Sequence, residues 1–278
     1  MKEVRTSPAL SGQIAQLDRL DDGLIERIRH EVLTAQAPWK AAYGEYQSGG
    51  WWTTSLMNTS GDAGDVRITD GTARPTDLLE SMPATAGLLS QLGLKYMWVR
   101  LARLEPAAFL WEHRDYGELD EVERHRLHIP LHTNSSAFLV TGGTKVHMAG
   151  GRIWRLTPTY AHGVCNLLGP DRIHLIADVY ADHAYEALAA RREEPAAAER
   201  LPDATAAELA ERLAAARKLA DLGYVDAAEQ LLLRLFYSHA LPEGTPYDLI
   251  ASLHTGLGDT EASARWTAAK AKLLALAS

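Results

Sequence analysis

Cysteine is almost missing from this chain of 278 residues, because Cys165 is the single one. One cysteine cannot form an internal disulfide, and it cannot supply the several thiolates of a cysteine-rich zinc site or an iron–sulfur cluster. Chains without disulfides suit a reducing compartment. We therefore expect a cytoplasmic protein without a cysteine-based metal site.

The sequence also lacks long apolar runs and an excess of positive charge. No stretch approaches the roughly 18 apolar residues of a membrane span, and the opening MKEVRTSPALSG has no apolar signal-peptide core. Lys and Arg number 28 against 36 Asp and Glu, which gives a formal net charge of −8. Because phosphates and anionic lipids bind basic faces, we expect neither nucleic acid nor a membrane as partner.

What remains is the composition of an ordinary globular protein, with 46% hydrophobic and 23% charged residues. Residues 21–33 carry apolar side chains at a helical period. Residues 44–75 are rich in Gly, Thr, Asp and Trp and predict a strand, a turn and a second strand. Residues 76–92 predict a helix that is interrupted near Pro83.

Residues 93–180 are a series of short β-like runs separated by turn signals such as Gly142-Gly143 and Gly169-Pro170. Many short strands at this spacing predict a β-sandwich or jelly roll. The expected fold class is therefore mainly β with added helices. The predicted strands are 95–104, 108–112, 124–132, 137–140, 145–148, 152–156, 162–168 and 172–180.

The composition changes again after residue 180, where Ala, Glu, Arg and Pro become frequent. Thr205 and Glu208 form a capping-box pattern that predicts the start of a helix. The sequence therefore predicts a β domain over 1–180, a linker over 181–204 and a helical domain over 205–278. A plain helical bundle is favoured there over a helical-repeat module, and its predicted helices are 205–223, 226–240, 247–257 and 260–276.

The segment WEHRDYGELD carries the first candidate ligands, His113 and Asp115, separated by one residue at the end of a predicted strand. On an extended chain such residues point to the same face. With His162 they make two histidines and one carboxylate, the facial triad of non-haem Fe(II) oxygenases. A structural zinc site would need a fourth protein ligand, and no convincing one is present. The sequence thus predicts iron(II) with open positions for 2-oxoglutarate and O2.

Arg172 follows His162 across the Gly169-Pro170 turn. If their two strands are antiparallel neighbours, both side chains point into one cavity, where the guanidinium can bind a carboxylate of 2-oxoglutarate in bidentate fashion. Arg126 and His128 share one face of another predicted strand and suit the same polar cavity. As structural alternatives, Asp115 could cap a turn, His162 could lie in the core, and Arg172 could pair with Asp171 or Asp178. The joint order and spacing favour the metal site.

Four segments carry a family resemblance: HRDYGEL (113–119), RLHIPL (126–131), HMAGGRIW (147–154) and HGVCNLLGPDRIHLIADV (162–179). They resemble the aspartyl/asparaginyl β-hydroxylase superfamily of Fe(II)/2-oxoglutarate dioxygenases, and within it the bacterial L-proline cis-4-hydroxylases most. The resemblance implies a double-stranded β-helix (jelly-roll) core with a small helical C-terminal domain. It also implies the site residues, namely His113, Asp115 and His162 as iron ligands, Arg172 on 2-oxoglutarate, and Arg126 and His128 near this cosubstrate.

The substrate side of the site is less well defined by the sequence. The resemblance places His147 and Trp154 at the border of the site. Trp51 and Asn58 lie in an N-terminal segment that is expected to cover the pocket, with core packing as the alternative for the tryptophan. Arg100 lies on the strand leading to His113 and could meet a substrate carboxylate.

The expected activity is hydroxylation of a C–H bond in a free, proline-like amino acid, with release of succinate and CO2. One alternative is β-hydroxylation of Asp, Asn or another residue in a peptide or carrier-bound substrate. A jelly-roll binding module without catalysis and a cupin-type metal hydrolase or isomerase are alternatives of other classes. A homodimer through the C-terminal helices is a further hypothesis.

Overall fold

A computed structural model describes residues 9–42, 44–115 and 124–275 of the chain. Two antiparallel β-sheets face each other at its centre, and helices cover both outer faces. Over the described residues the larger sheet has eight strands and the smaller has five. This is the mainly β architecture with added helices that the sequence predicted.

The larger sheet has the strand order β1-β10-β7-β12-β5-β3-β2, with β4 paired to β3. The long central strands β7, β12 and β5 form the wall on which most of the charged site residues lie. The bounds are β1 Ile14–Arg19, β2 Lys40–Ala41, β3 Trp51–Asn58, β4 Arg74–Pro75, β5 Tyr96–Leu104, β7 Arg124–His132, β10 Arg152–Leu156 and β12 Arg172–Tyr180.

The smaller sheet has the order β13-β9-β8-β11-β6. Its strands are β6 Ala108–His113, β8 Ala137–Thr141, β9 Thr144–Val146, β11 His162–Asn166 and β13 Ala198–Arg200. Strand β13 and helix α5 (His183–Ala189) both lie in the segment 181–204, so this segment carries regular structure. Its assignment as a linker, and the domain boundaries on either side of it, stay predictions.

Period-two alternation decides which side chains of the larger sheet enter the space between the sheets. On β12, Ile173 and Leu175 face outward into the largest hydrophobic cluster, whereas Arg172 and Ile176 face inward. The same alternation on β7 sends Leu127, Ile129 and Leu131 outward and leaves Arg126 and His128 facing inward.

Helices on the outer face of the larger sheet begin where the sequence supplies caps. The Asp21 side chain accepts a hydrogen bond from the Leu24 amide at the start of α2, and Pro83 is the first residue of α4. Both features are typical of helix N-termini. The bounds are α2 Asp22–Thr34, α3 Asp77–Glu80 and α4 Pro83–Leu92. The short helix α1, Leu10–Gln13, leads directly into β1 and has no side-chain cap.

The C-terminal helices cover the outer face of the smaller sheet. The capping box of Thr205 and Glu208 is present. The helix predicted over 226–240 is shorter, because the chain tightens into a 3-10 turn at Arg234–Tyr237 that brings Phe236 and Tyr237 onto the sheet. The bounds are α6 Ala206–Asp221, α7 Val225–Leu233, α8 Thr245–Leu257 and α9 Thr260–Leu273; residue 276, the predicted end of the last helix, lies outside the described residues.

None of the helices in the described part of the chain is long and apolar enough to cross a bilayer.

Tyr237 anchors the C-terminal helices to the strands that carry the two histidines of the site. Its hydroxyl donates to the Leu110 and Val164 carbonyls. The close approach requires Gly163, because a Cβ there would lie 2.7 Å from the tyrosine hydroxyl. The helical segment is therefore fastened directly behind His162.

We expect Tyr237→Ala to lower the free energy of unfolding by about 3–5 kcal/mol, as for other buried aromatic truncations. The reason is the cavity left beside Phe109 and Phe236, whose rings lie 5.2 and 5.3 Å from the Tyr237 ring. Urea denaturation followed by tryptophan fluorescence measures the loss. Tyr224→Ala is the matched control, since that side chain is 63% exposed, and its effect should stay within about 0.5 kcal/mol. Equal effects of both changes would contradict this anchoring role.

Candidate metal centre

A β-bulge in β6 turns the side chain of His113 into the space between the two sheets. Strand β11 pairs His162 with His113 and Val164 with Leu110, so three residues of β6 span the interval that two residues of β11 span. Leu110 and His113 therefore both face inward, and Trp111 between them faces outward. Bulges commonly re-aim a side chain next to a functional site.

His113, Asp115 and His162 come together in the structure, with one potential ligand atom from each lying within 4.8 Å of the others. His113 Nε2 is 3.6 Å from Asp115 Oδ1, and His162 Nε2 is 3.8 Å from Asp115 Oδ2. All three are largely buried. Of the residues described, no other group of His, Cys, Asp or Glu has this arrangement.

Hydrogen bonds fix which ring nitrogens of the two histidines are available. His113 Nδ1 lies 2.7 Å from the Trp111 carbonyl, and His162 Nδ1 lies 2.9 Å from the Tyr160 carbonyl. A carbonyl only accepts, so each Nδ1 carries the proton and donates. The Nε2 lone pairs then point toward Asp115, the tautomer that a metal ligand needs.

The charge states of the cluster suit a cation. Burial lowers the pKa of His113 and lowers that of His162 to about 3, so both rings are neutral near pH 7. Burial is the largest single influence and would raise the pKa of Asp115, but the neighbouring groups, Arg126 first among them, together outweigh it and lower the carboxyl pKa to about 2. Two neutral imidazoles and one carboxylate are the donor set of the non-haem iron triad.

A pocket between the two sheets contains this cluster. His162 and Arg172 line it from opposite sheets, since β11 pairs with β6 and β8 whereas β12 pairs with β5 and β7. The expectation that their strands are antiparallel neighbours is therefore wrong, because the chain crosses between sheets at the Gly169-Pro170 turn. The wall is formed by Tyr46, Trp51, Arg100, Leu110, His113, Asp115, Arg126, His128, Leu139, Leu156, His162, Val164, Arg172 and Ile176.

Buried polar groups without partners lie at one side of the pocket and directly behind it. Over the described residues, Arg172 Nη1 and the Nε2 atoms of His128 and His174 have no hydrogen-bond partner. The Nδ1 atoms of these two histidines lie 3.5 Å apart. Burial lowers the pKa of Arg172 to about 9, because no described carboxylate forms an ion pair with it. Neither Asp171 nor Asp178 is its partner. Unpartnered buried donors call for a ligand or water, and a carboxylate is suited to this place.

Arg126 lies between the candidate iron ligand and a second buried carboxylate. Its Nη1 donates to Asp115, and its Nε donates to Asp178 Oδ1 at 2.8 Å. Arg100 donates to Asp178 Oδ2 at 2.8 Å and stacks on the Trp98 ring at 3.8 Å. Arg100 lines the pocket as expected, but its guanidinium is held by a buried carboxylate.

Three residues predicted for the substrate side do not reach the pocket wall. The Asn58 amide donates to the carbonyls of Asp62 and Asp65 and so organises its own loop. His147 bonds the Ala137 carbonyl, and Trp154 is buried in an apolar cluster next to the pocket, where its ring nitrogen donates to the Ala149 carbonyl. Trp51 does line the pocket. We therefore keep Trp51 and Arg100 as candidates for the substrate side.

Sequence reasoning missed Tyr46 and His174, and it named Asp178 only as a possible partner of Arg172. The Tyr46 ring lies 4.4 Å from the His113 ring and forms part of the pocket wall. His174 and Asp178 follow Arg172 at even spacings on β12, so period two could have found them on the inward face. Nothing in the sequence indicated Tyr46, because it lies in a loop that is distant in sequence from His113 and the other pocket residues.

Known proteins are similar to this chain. The model of the aspartyl/asparaginyl β-hydroxylase family matches residues 24–182. The L-proline cis-4-hydroxylase of Rhizobium meliloti (strain 1021) is 28% identical over 176 residues, which are 61% of this chain and 62% of that relative. The chain thus matches less than two thirds of that relative's length.

Two solved structures are also similar. An oxidoreductase of the 2OG-Fe(II) oxygenase family from Burkholderia pseudomallei is 15% identical with a TM-score of 0.40, covering 56% of this chain and 77% of that one. A Pseudomonas putida prolyl-4-hydroxylase is 14% identical with a TM-score of 0.38, covering 60% and 91%. The family assignment rests on the family model, which spans more than half of the chain. The protein belongs to the aspartyl/asparaginyl β-hydroxylase family.

Proposed function

We propose that the protein is an Fe(II)/2-oxoglutarate-dependent dioxygenase that hydroxylates a C–H bond of a free, proline-like amino acid. The observation that carries this proposal is the cluster of His113, Asp115 and His162 in one pocket with the buried Arg172, whose Nη1 has no hydrogen-bond partner among the described residues. Membership of the β-hydroxylase family and the 28% identity to an L-proline cis-4-hydroxylase support it. Bound iron, with 2-oxoglutarate and O2, would supply the oxidising chemistry and release succinate and CO2.

The chain's own residues would hold and orient the reactants. His113, Asp115 and His162 would bind the metal through Nε2, a carboxylate oxygen and Nε2. Arg172 would bind the far carboxylate of 2-oxoglutarate, and His128 would donate or accept beside it, since both offer buried atoms without partners. Arg126 would hold Asp115 in place. Their burial limits the water that competes for these contacts.

The substrate side of the pocket combines apolar walls with positive charge. Trp51, Leu110, Val164 and Ile176 pack together next to the metal cluster. The side chains that line the pocket include three arginines and one aspartate, Asp115, which is the candidate iron ligand. A small amino acid with an apolar body and a carboxylate is suited to this wall, which supports a free amino acid over a peptide.

The test is an incubation of the purified protein in air with Fe(II), ascorbate, 2-oxoglutarate and one amino acid at a time, L-proline and pipecolate first. We expect equal amounts of succinate and of a product heavier by one oxygen atom in mass spectrometry. Succinate without a hydroxylated free amino acid would favour a tethered substrate. No succinate from iron-loaded protein would contradict the proposal. A cytoplasmic location and a homodimer through the C-terminal helices stay predictions.

A further inference from the structure

Four buried side chains form a row of alternating charges that ends at the metal cluster. In order they are Arg100, Asp178, Arg126 and Asp115. Asp178 is fully buried, and the side chains of Arg100 and Arg126 are 2% and 6% exposed. Each arginine donates to Asp178 at 2.8 Å, and Arg126 also donates to Asp115. The row is therefore a built structure inside the protein and not a set of surface ion pairs.

The register of the larger sheet brings the row together. On β12, Asp178 lies directly opposite Arg126 of β7, and Ile176 lies opposite Arg100 of β5. One central strand thus carries a carboxylate between arginines from both of its neighbours. Arg126 then reaches past Asp178 to the loop that follows β6, where Asp115 lies. The larger sheet therefore positions Arg126, and the end of β6 in the smaller sheet positions Asp115.

The charges of the row matter for a cation that binds at Asp115. The two arginines and two aspartates of the row carry charges that sum to zero among these four side chains. If the charge of Asp178 were removed, the remaining three charges would sum to +1 beside the metal. In a buried place such a charge is poorly screened by solvent. Arg126 would also lose a bond that aims its guanidinium, and its attraction for Asp115 would compete more strongly with that of the metal.

We propose that Asp178 is a positioning residue for the metal centre, which neutralises and orients Arg126 so that the Asp115 carboxylate is available to a divalent cation. This inference rests on the proposed function only in taking His113, Asp115 and His162 as the metal ligands. The role of Arg100 follows from it, since Arg100 supplies the second positive charge that Asp178 balances. Asp178 touches neither metal nor substrate in this role and acts through Arg126.

The test measures Co(II) affinity of the full chain by calorimetry and by the visible spectrum of bound Co(II), without 2-oxoglutarate and without turnover. We expect Asp178→Asn to weaken Co(II) binding roughly 10- to 100-fold, the usual effect of losing a group that orients a metal ligand. Asp171→Asn is the matched control, because that side chain is 39% exposed and lies just before the same strand. It should leave the Co(II) affinity unchanged.

The double variant Arg100→Gln/Asp178→Asn separates charge balance from a merely structural role. It returns the row to zero net charge, so we expect it to recover most of the lost Co(II) affinity. A structural role predicts the opposite, since the double variant removes more buried contacts than the single one. Equal affinity of Asp178→Asn and the natural chain, or no recovery in the double variant, would overturn the proposal.

Two further measurements distinguish a failure of this inference from a variant that does not fold and from a failure of the proposed metal site. If Asp178→Asn does not fold, Arg100→Gln alone decides, because it makes the row net negative and should bind Co(II) as tightly as the natural chain or more tightly; weaker binding would overturn the proposal. If the natural chain itself shows no Co(II) binding that His113→Ala abolishes, the metal site of the proposed function fails, and this inference fails with it.

Discussion

Asp115→Ala should abolish 2-oxoglutarate turnover and weaken Fe(II) or Co(II) binding at least about 100-fold. Four-ligand zinc sites bind with about 10–16 kcal/mol, so one ligand contributes roughly 3 kcal/mol, which is about two decades in affinity. The true loss should exceed this figure, because the change removes one ligand and also leaves Arg126 beside the site without the carboxylate it contacts. The positive charge of Arg126 would then repel the metal ion and weaken its binding further.

The loss can be checked by anaerobic metal titration and by succinate release with the best amino-acid substrate. Asp203→Ala is a matched control, because its side chain is 83% exposed and pairs with Arg200 on the surface. It should change neither measurement. Full turnover in Asp115→Ala would show that this carboxylate is not an iron ligand, and would return the residue to the turn-capping role that the sequence left open.

The grouping of His113, Asp115 and His162 was predictable from sequence for a physical reason. Ligand types, their order along the chain and the i, i+2 spacing of His113 and Asp115 all restrict the choice. The face assignments of β7 and β12 followed from strict alternation. These are local rules, and they hold wherever a strand is regular.

Features that depend on register between distant strands were not predictable in the same way. The bulge in β6 re-aims His113, yet its sequence resembles any buried strand. Arg100 was a candidate to meet a substrate carboxylate, but its register on β5 places it opposite Ile176, and its side chain donates to Asp178 two residues further along β12. The chain also crosses between the sheets after β11, so β11 and β12 are not the neighbouring strands that the spacing of His162 and Arg172 suggested. A sequence pattern gives the face of a side chain but not the residue that meets it there.

Asn58, His147 and Trp154 also show that sequence position alone does not decide whether a side chain reaches the pocket. Each lies near a conspicuous sequence motif, and each is used by the local structure instead of the pocket. Asn58 closes a loop, and His147 and Trp154 bond backbone carbonyls beside an apolar cluster. Polar side chains with satisfied local bonds are poor candidates for ligand contact, whereas the unpartnered atoms of Arg172 and His128 are good ones.

Arg172→Met should weaken 2-oxoglutarate binding strongly and leave the stability of the ligand-free protein equal or higher. Truncating one partner of a buried, hydrogen-bonded charge pair costs about 2–5 kcal/mol, which is roughly a 30- to 5,000-fold loss of affinity. The stability should not fall with it, because Arg172 is buried without an ion pair to any of the described residues and its charge is unfavourable there, as its lowered pKa indicates. Methionine fills similar space without a charge.

The two effects can be measured on the same samples. Anaerobic calorimetry with metal-loaded protein gives the 2-oxoglutarate affinity, and urea denaturation of the ligand-free protein gives the free energy of unfolding. Arg103→Met is the matched control, because that arginine lies in the same sheet but contacts Glu105 and Asp171 at the surface. It should leave 2-oxoglutarate binding intact. Unchanged 2-oxoglutarate affinity in Arg172→Met would refute the carboxylate-binding role. A marked loss of stability would mean that the guanidinium already has a partner in the ligand-free protein, and the unpaired charge on which this prediction depends would not exist.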